Sequence, residues 1–160
     1  MKRVLIIVLL TCFMPGCAHV ISKDLRTRAD ETVIPEILFK EPEQFTGKTV
    51  IMGGVIVSTR NEETGSFIEI LQKPLDSRGI PEDSDRSYGR FVAFSKGFLD
   101  KDMYSRGRRV TVGGVVSGTV EGTIGEMKYD YPTIEVEEIR LHKTGRDIPV
   151  FFSIGVGHSF

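Results

Sequence analysis

The rhythm of apolar and polar positions divides this chain into four stretches. Val4 to Phe13 is almost wholly apolar and follows two cations, Lys2 and Arg3. Ala18 to Thr32 is polar and charged with no sustained period, which reads as a tether with some helix around Ser22–Arg28. In Val33 to Phe45, Ile34, Ile37, Leu38 and Phe45 stand among charges. Pro35 and Pro42 lie too close together for a long helix. A helical turn leading into a strand is expected there. From Gly47 to Leu141 the chain reads as short strands, and a last alternating stretch runs from Val150 to Phe160.

Gly47 to Val57 has the β-branched composition of a strand, with Gly53-Gly54 in its middle predicting a bulge or sharp bend. Sixty residues later Gly107 to Ser117 repeats it, with Gly47, Val50, Gly53, Gly54 and Val55 all recurring. One recurrence is too few for a solenoid. Two equivalent bent strands of one barrel fit it better. Between them, Ser66 to Gln72 alternates as a strand and Gly89 to Phe94 forms another. Gly97 to Tyr104 predicts a short helix whose Phe98, Leu99 and Met103 plug one end of the core. After hairpin material from Gly118 to Asp130, Thr133 to Leu141 makes a fifth strand, with Ile134 and Val136 inward. The Glu137-Glu138 pair breaks the alternation and predicts a bulge. This order matches a small all-β, OB-fold-like five-stranded barrel with one short helix; another small sandwich or barrel is the competing expectation.

The N-terminus decides where the domain goes. Two cations, a short apolar run and Met14-Pro15-Gly16-Cys17 have the layout of a secretory signal peptide. The run is far short of the ~20 residues that span a bilayer. The Cys directly after Gly16 resembles the lipobox of bacterial lipoproteins, which implies cleavage between Gly16 and Cys17 and lipidation of the Cys17 thiol. Of the 2 Cys, Cys12 leaves with the signal, so Cys17 has no disulfide partner. An ordinary cleaved signal and an uncleaved anchor are the alternatives. The expected plan is a signal over 1–16, a lipidated N-terminus and tether over 17–34, a barrel over 35–143 and an apolar tail over 144–160. Removing Lys2 and Arg3 leaves 19 basic against 22 acidic residues, a net of −3, which speaks against a nucleic-acid partner.

Several of these motifs together resemble one family. Gly97-Phe98-Leu99-Asp100, Tyr104, Arg109 to Gly114, Pro74-Leu75-Asp76 and Gly89-Arg90-Phe91 are similar, in order and spacing, to the Slp family. These are starvation-inducible outer-membrane lipoproteins of Gram-negative bacteria, and the resemblance runs from Cys17 to about His142. It implies lipid attachment at Cys17, an outer-membrane address and a link to stress, and no established enzymatic activity. The tail after His142 departs from the family's pattern. Ala18 after the Cys, rather than Asp, is consistent with sorting to the outer membrane.

Chemistry is sparse. His19, His142 and His158 share no metal-ligand spacing, and His142 is expected at the surface. Glu82, Asp83 and Asp85 lack the spacing of an EF-hand and read as a solvated loop whose charge Arg78, Arg86 and Arg90 balance. No serine sits in a nucleophile elbow. No catalytic set, metal or cofactor is expected. The functional expectation is a non-enzymatic, lipid-anchored module, with the membrane as one partner through acylated Cys17 and an envelope protein as another. A periplasmic binder of oligosaccharide or a small molecule on the OB face is the alternative. An outer-membrane pore rests on the alternating tail alone, and the strands upstream are too few for it.

Overall fold

A computed structural model describes residues 19–143. The signal peptide, Cys17 and the tail from 144 lie outside the described residues. Two short helices, α1 (Lys23–Arg28) and α2 (Pro35–Lys40), and a 3-10 turn (Pro42–Phe45) precede five strands. These are β1 (Thr49–Glu62), β2 (Gly65–Gln72), β3 (Arg90–Ser95), β4 (Arg109–Ile124) and β5 (Met127–Leu141). They close a ring in the order β1-β2-β3-β5-β4, antiparallel throughout except for the β3–β5 pair. The five-stranded barrel expected from the sequence is therefore the architecture found.

Alternation places the core. Val50, Met52, Ile56, Ile68, Ile70, Phe91, Ala93, Val110, Val112, Val116 and Ile134 are buried inside the ring. Because β1, β3 and β5 run together, the barrel has a starting end, near Thr49 and Met127, and a finishing end, near Ser95 and Leu141. Leu38 and Phe39 close the starting end, Phe39 packing edge-on to Phe91 with centroids 6.4 Å apart. Both prolines serve these elements, since each begins a helical segment where no N–H is needed.

The sixty-residue echo has a geometric meaning. β1 and β4 pair with Met52 opposite Val112, and every pair has a counterpart across that point, as Thr49 with Val115 matches Val55 with Arg109. The flanking bonds repeat too. Gly47 N–H donates to the Val116 carbonyl and Gly107 N–H to the Ile56 carbonyl, at 2.8 and 2.9 Å. Both glycines have positive φ, +84° and +88°. The first glycine of each pair makes room for a leucine laid on the barrel's outside, Leu25 over Gly113 and Leu75 over Gly53, where the Val110 carbonyl also closes in. The second lets a neighbouring strand's backbone come close: a methyl group at Gly54 would run into the Leu71 carbonyl, and one at Gly114 into that of Glu135.

Four expectations change. The bulge expected at the Gly pairs is met at one of them: the β1–β4 ladder is regular through Gly53 and Gly54, whereas the β4–β5 register shifts between Gly113 and Gly114, opposite the expected Glu137; further irregularities fall at Val57 and Ser117. The short helix lies before the barrel, not between β3 and β4. Gly97 to Tyr104 makes only one turn, closed by Tyr104 N–H to the Asp100 carbonyl at 2.8 Å and capped at its start by the Asp100 carboxylate, which accepts from the Asp102 N–H. Leu99 and Tyr104 plug the finishing end, whereas Phe98 and Met103 are 81 % and 55 % exposed. The tether is also corrected from residue 19 on. Ile21 and Leu25 are buried, Val20 N–H donates to the Arg78 carbonyl at 2.9 Å, and Arg28 pairs with Glu137 at 2.7 Å.

Two measurements check this packing. Leu25→Ala should cost about 2–5 kcal/mol in urea unfolding, where a tether residue would cost nothing measurable. Gly54→Ala and Gly114→Ala should each cost about 3 kcal/mol or more, since backbone rather than a side chain must move.

Candidate functional site

The outer face of β1, β2 and β3 faces the curled-over β4–β5 hairpin across a groove of about 310 Å³. After the irregularity at Val57, Ser58 and Arg60 turn outward beside Phe67 and Glu69 of β2, while Val120 to Thr123 and Tyr131 form the far wall. Phe67 and Phe94, directly paired between β2 and β3, stack with centroids 4.8 Å apart. The Arg60 guanidinium lies over the Phe67 ring, 5.1 Å from its centre.

Glu69 organises the polar half. One carboxylate oxygen accepts from Arg90 at 2.8 Å and from the Tyr131 hydroxyl at 3.3 Å, and the other accepts from Ser58 at 3.0 Å. Burial, reinforced by the Glu69 charge, raises Tyr131 above the ordinary phenol value, so its hydroxyl remains a donor. Tyr129 stacks edge-on against Tyr131 at 4.7 Å and accepts from the Arg90 backbone N–H at 3.2 Å. Both Glu69 oxygens are engaged, so the groove presents aromatic faces and a fixed polar network, with the Glu121 carboxylate on the far wall.

The other candidate residues go elsewhere. Cys17, Gly16 and His158 lie outside the described residues. In the acidic loop Arg86 pairs with Glu82, but Arg78 pairs with Asp76 and Arg90 with Glu69, so those two cations do not balance it as expected. Among the described residues no His/Cys/Asp/Glu group could hold a metal ion. His142 is half-buried rather than at the surface, its Nε2 2.7 Å from Thr111 Oγ1, which donates to the Gly79 carbonyl. Alternation flags Phe67 and Phe94 as an outward aromatic pair; Tyr131 lies in a stretch with no strand signal strong enough to orient it.

The sequence matches the outer membrane lipoprotein Slp family over residues 14–150. The chain belongs to that family. Over 95 residues it is 36 % identical to the lipoprotein YeaY of Escherichia coli K12, covering 59 % of this chain and 49 % of that protein. Over 101 residues it is 30 % identical to the outer membrane protein Slp of the same organism, covering 63 % and 53 %. The chain thus spans about half the length of these relatives. A small single-stranded DNA-binding protein from Streptomyces coelicolor aligns over 61 % of this chain and 94 % of its own with a TM-score of 0.38 and 12 % identity, which carries no argument about ligand. Membership of the Slp family supports the outer-membrane address expected from the sequence.

A pH test addresses the Thr111–His142 contact. Burial, with Arg109 nearby, holds the His142 imidazole below its ordinary value of 6.5. The unfolded chain therefore binds this proton first, so the stabilisation is complete above 6.5 and is lost as pH falls through the lowered folded value. Urea midpoints should drop between neutral pH and pH 5.5, and His142→Gln should flatten that drop.

Proposed function

We propose that Cys17 is acylated and that the chain is a non-enzymatic module anchored to the outer membrane on its periplasmic side, offering the β1–β2–β3 groove to an envelope partner. One observation supports this above the others: the chain is docked on the barrel from Val20 onward, with Ile21 and Leu25 buried. Only Ala18 separates Cys17 from the first described residue, His19. Two residues reach at most ~7 Å, so a lipid on Cys17 would bring the barrel against the membrane surface rather than leave it swinging on a leash. Several acyl chains would make the attachment stable, where one gives only marginal binding.

The experiment is intact-mass measurement of membrane-extracted protein beside a Cys17→Ser version. The expected result is a chain starting at Cys17 and heavier by its acyl groups, with Cys17→Ser unprocessed and unacylated. A Cys17→Ser chain that fractionates with envelopes at the normal mature mass would overturn the proposal.

The stacked Phe67–Phe94 pair beside the Glu69–Arg90–Tyr131 network favours a second reading, in which the groove binds a neutral oligosaccharide. Aromatic faces suit sugar C–H surfaces, and fixed donors and acceptors suit hydroxyls. Titration with chitooligosaccharides should then shift amide signals of β2 and β3, and Phe67→Ala should abolish the shifts. No shift at any concentration would leave the partner-binding reading alone.

A further inference from the structure

We infer that the finishing end of the barrel, the loop from Lys96 to Arg109, is a lipid seat that puts Phe98 and Met103 into an anionic phospholipid monolayer. The inference rests on the acylation proposed above. Phe98 and Met103 project outward, although Leu99 and Tyr104 beside them turn into the barrel. Exposed apolar side chains are ordinary singly, but this pair shares a loop with five cations, Lys96, Lys101, Arg106, Arg108 and Arg109, against Asp100 and Asp102; Lys96 pairs with Glu135 and Arg109 reaches the Pro81 carbonyl, which leaves Lys101, Arg106 and Arg108 nearest the apolar pair. The loop's net +3 stands in a chain whose formal charge is −1. Apolar tips ringed by cations match the two layers of an anionic membrane surface, acyl chain below and phosphate above.

Position points the same way independently. The segment next to Cys17 enters the fold at this end, because the Val20 carbonyl accepts from Arg140 Nε at 3.3 Å and Arg140 pairs with Thr111 near the start of β4. From there α1 runs away toward the starting end, where Asp30 N–H donates to the Thr49 carbonyl at 2.8 Å. The last described residues leave at the finishing end too. Arg108 ties them to the loop, donating to the Met103 carbonyl at 2.7 Å and to that of His142 at 3.4 Å. The apolar sequence from Val150 to Phe160 follows from that point.

The starting end fits lipid badly. Met127 is 75 % exposed there, but its hairpin carries Glu121, Glu126 and Asp130 against Lys128. Ile34 and Ile37 stand among Glu31, Glu36 and Glu41. Glu62 and Glu63 of the β1–β2 hairpin also stand at the finishing end, but the loop's +3 exceeds their −2, so an anionic surface would favour this end over the other.

The chain has no Trp, so an introduced indole reports alone. Phe98→Trp and Met127→Trp versions of the full acylated protein are reconstituted into phosphatidylethanolamine–phosphatidylglycerol vesicles with brominated acyl chains, and flotation is measured in parallel. The expected result is that the Phe98→Trp indole shifts to the blue and loses most of its emission, while that of Met127→Trp keeps its emission. Equal quenching at both positions, or none at Phe98→Trp in protein that floats, overturns the seat and leaves the anchor standing; absence of quenching at Phe98→Trp also fits a protein partner or the chain's own tail covering the loop. Protein that does not float overturns the anchor, and the seat with it.

Discussion

The close approach permitted by two Gly-Gly pairs is the constraint on which this molecule depends. A five-stranded ring is too narrow to close with straight strands; β1 and β4 must each bend far enough to pair with a neighbour on either side. At Gly54 and Gly114 the adjoining backbone occupies the space a side chain would need. At Gly53 and Gly113 the vacant position is filled from outside by Leu75 and Leu25. One substitution pattern therefore closes the barrel and makes sockets for the segments that cover it.

Those sockets link barrel closure to the docking of the N-terminal segment. Leu25 belongs to α1, whose first turn is capped by Ser22 and whose far side is tied through Arg28 to Glu137. Asp30, held well below the usual carboxylate range first by Lys48 and then by Thr32, fastens the end of the same segment to the start of β1. These are exposed ion pairs and contribute little each. Burial of Ile21 and Leu25 stabilises the docked segment more, and the ion pairs fix the register in which those two residues dock. The segment adjoining Cys17 thereby becomes part of the domain.

The barrel was legible in the sequence because its signals are local and redundant. Strand composition, alternation and the sixty-residue echo all lie within short windows, and Glu137-Glu138 breaks its own pattern where the bulge occurs. The role of the glycines was less so. A Gly pair announces that side chains are excluded but not whether a bend or a neighbouring backbone excludes them. Phe98, Leu99 and Met103 are alike in hydropathy, and only the turn at Asp100 decides which of them faces inward. Docking of Ile21 and Leu25 leaves no local signal because two apolar residues in a charged stretch make no period, and the partner glycine is 88 residues further on for Leu25. The groove needed the fold, since Ser58, Glu69, Arg90 and Tyr131 meet only once the ring has closed.

The docked segment and the groove use different stretches of the same strands. The docked N-terminal segment covers β4 and β5 from outside, through contacts to Gly113, Glu137, Glu138 and Arg140. The groove opens over β2 and β3 and is walled by the second half of β1 and by the β4–β5 hairpin, stretches the docked segment leaves uncovered. The ring is closed, but the β4–β5 hairpin beyond it, from Thr119 to Pro132, pairs only with itself, so recognition can use its edges as well as side chains on a face. With the N-terminal segment fixed to one side, a lipid on Cys17 would leave the other side clear. The Arg60–Phe67–Phe94 stack and the Glu69 network would then face away from the anchored flank, where a partner could reach them without displacing the contacts that hold the domain in place.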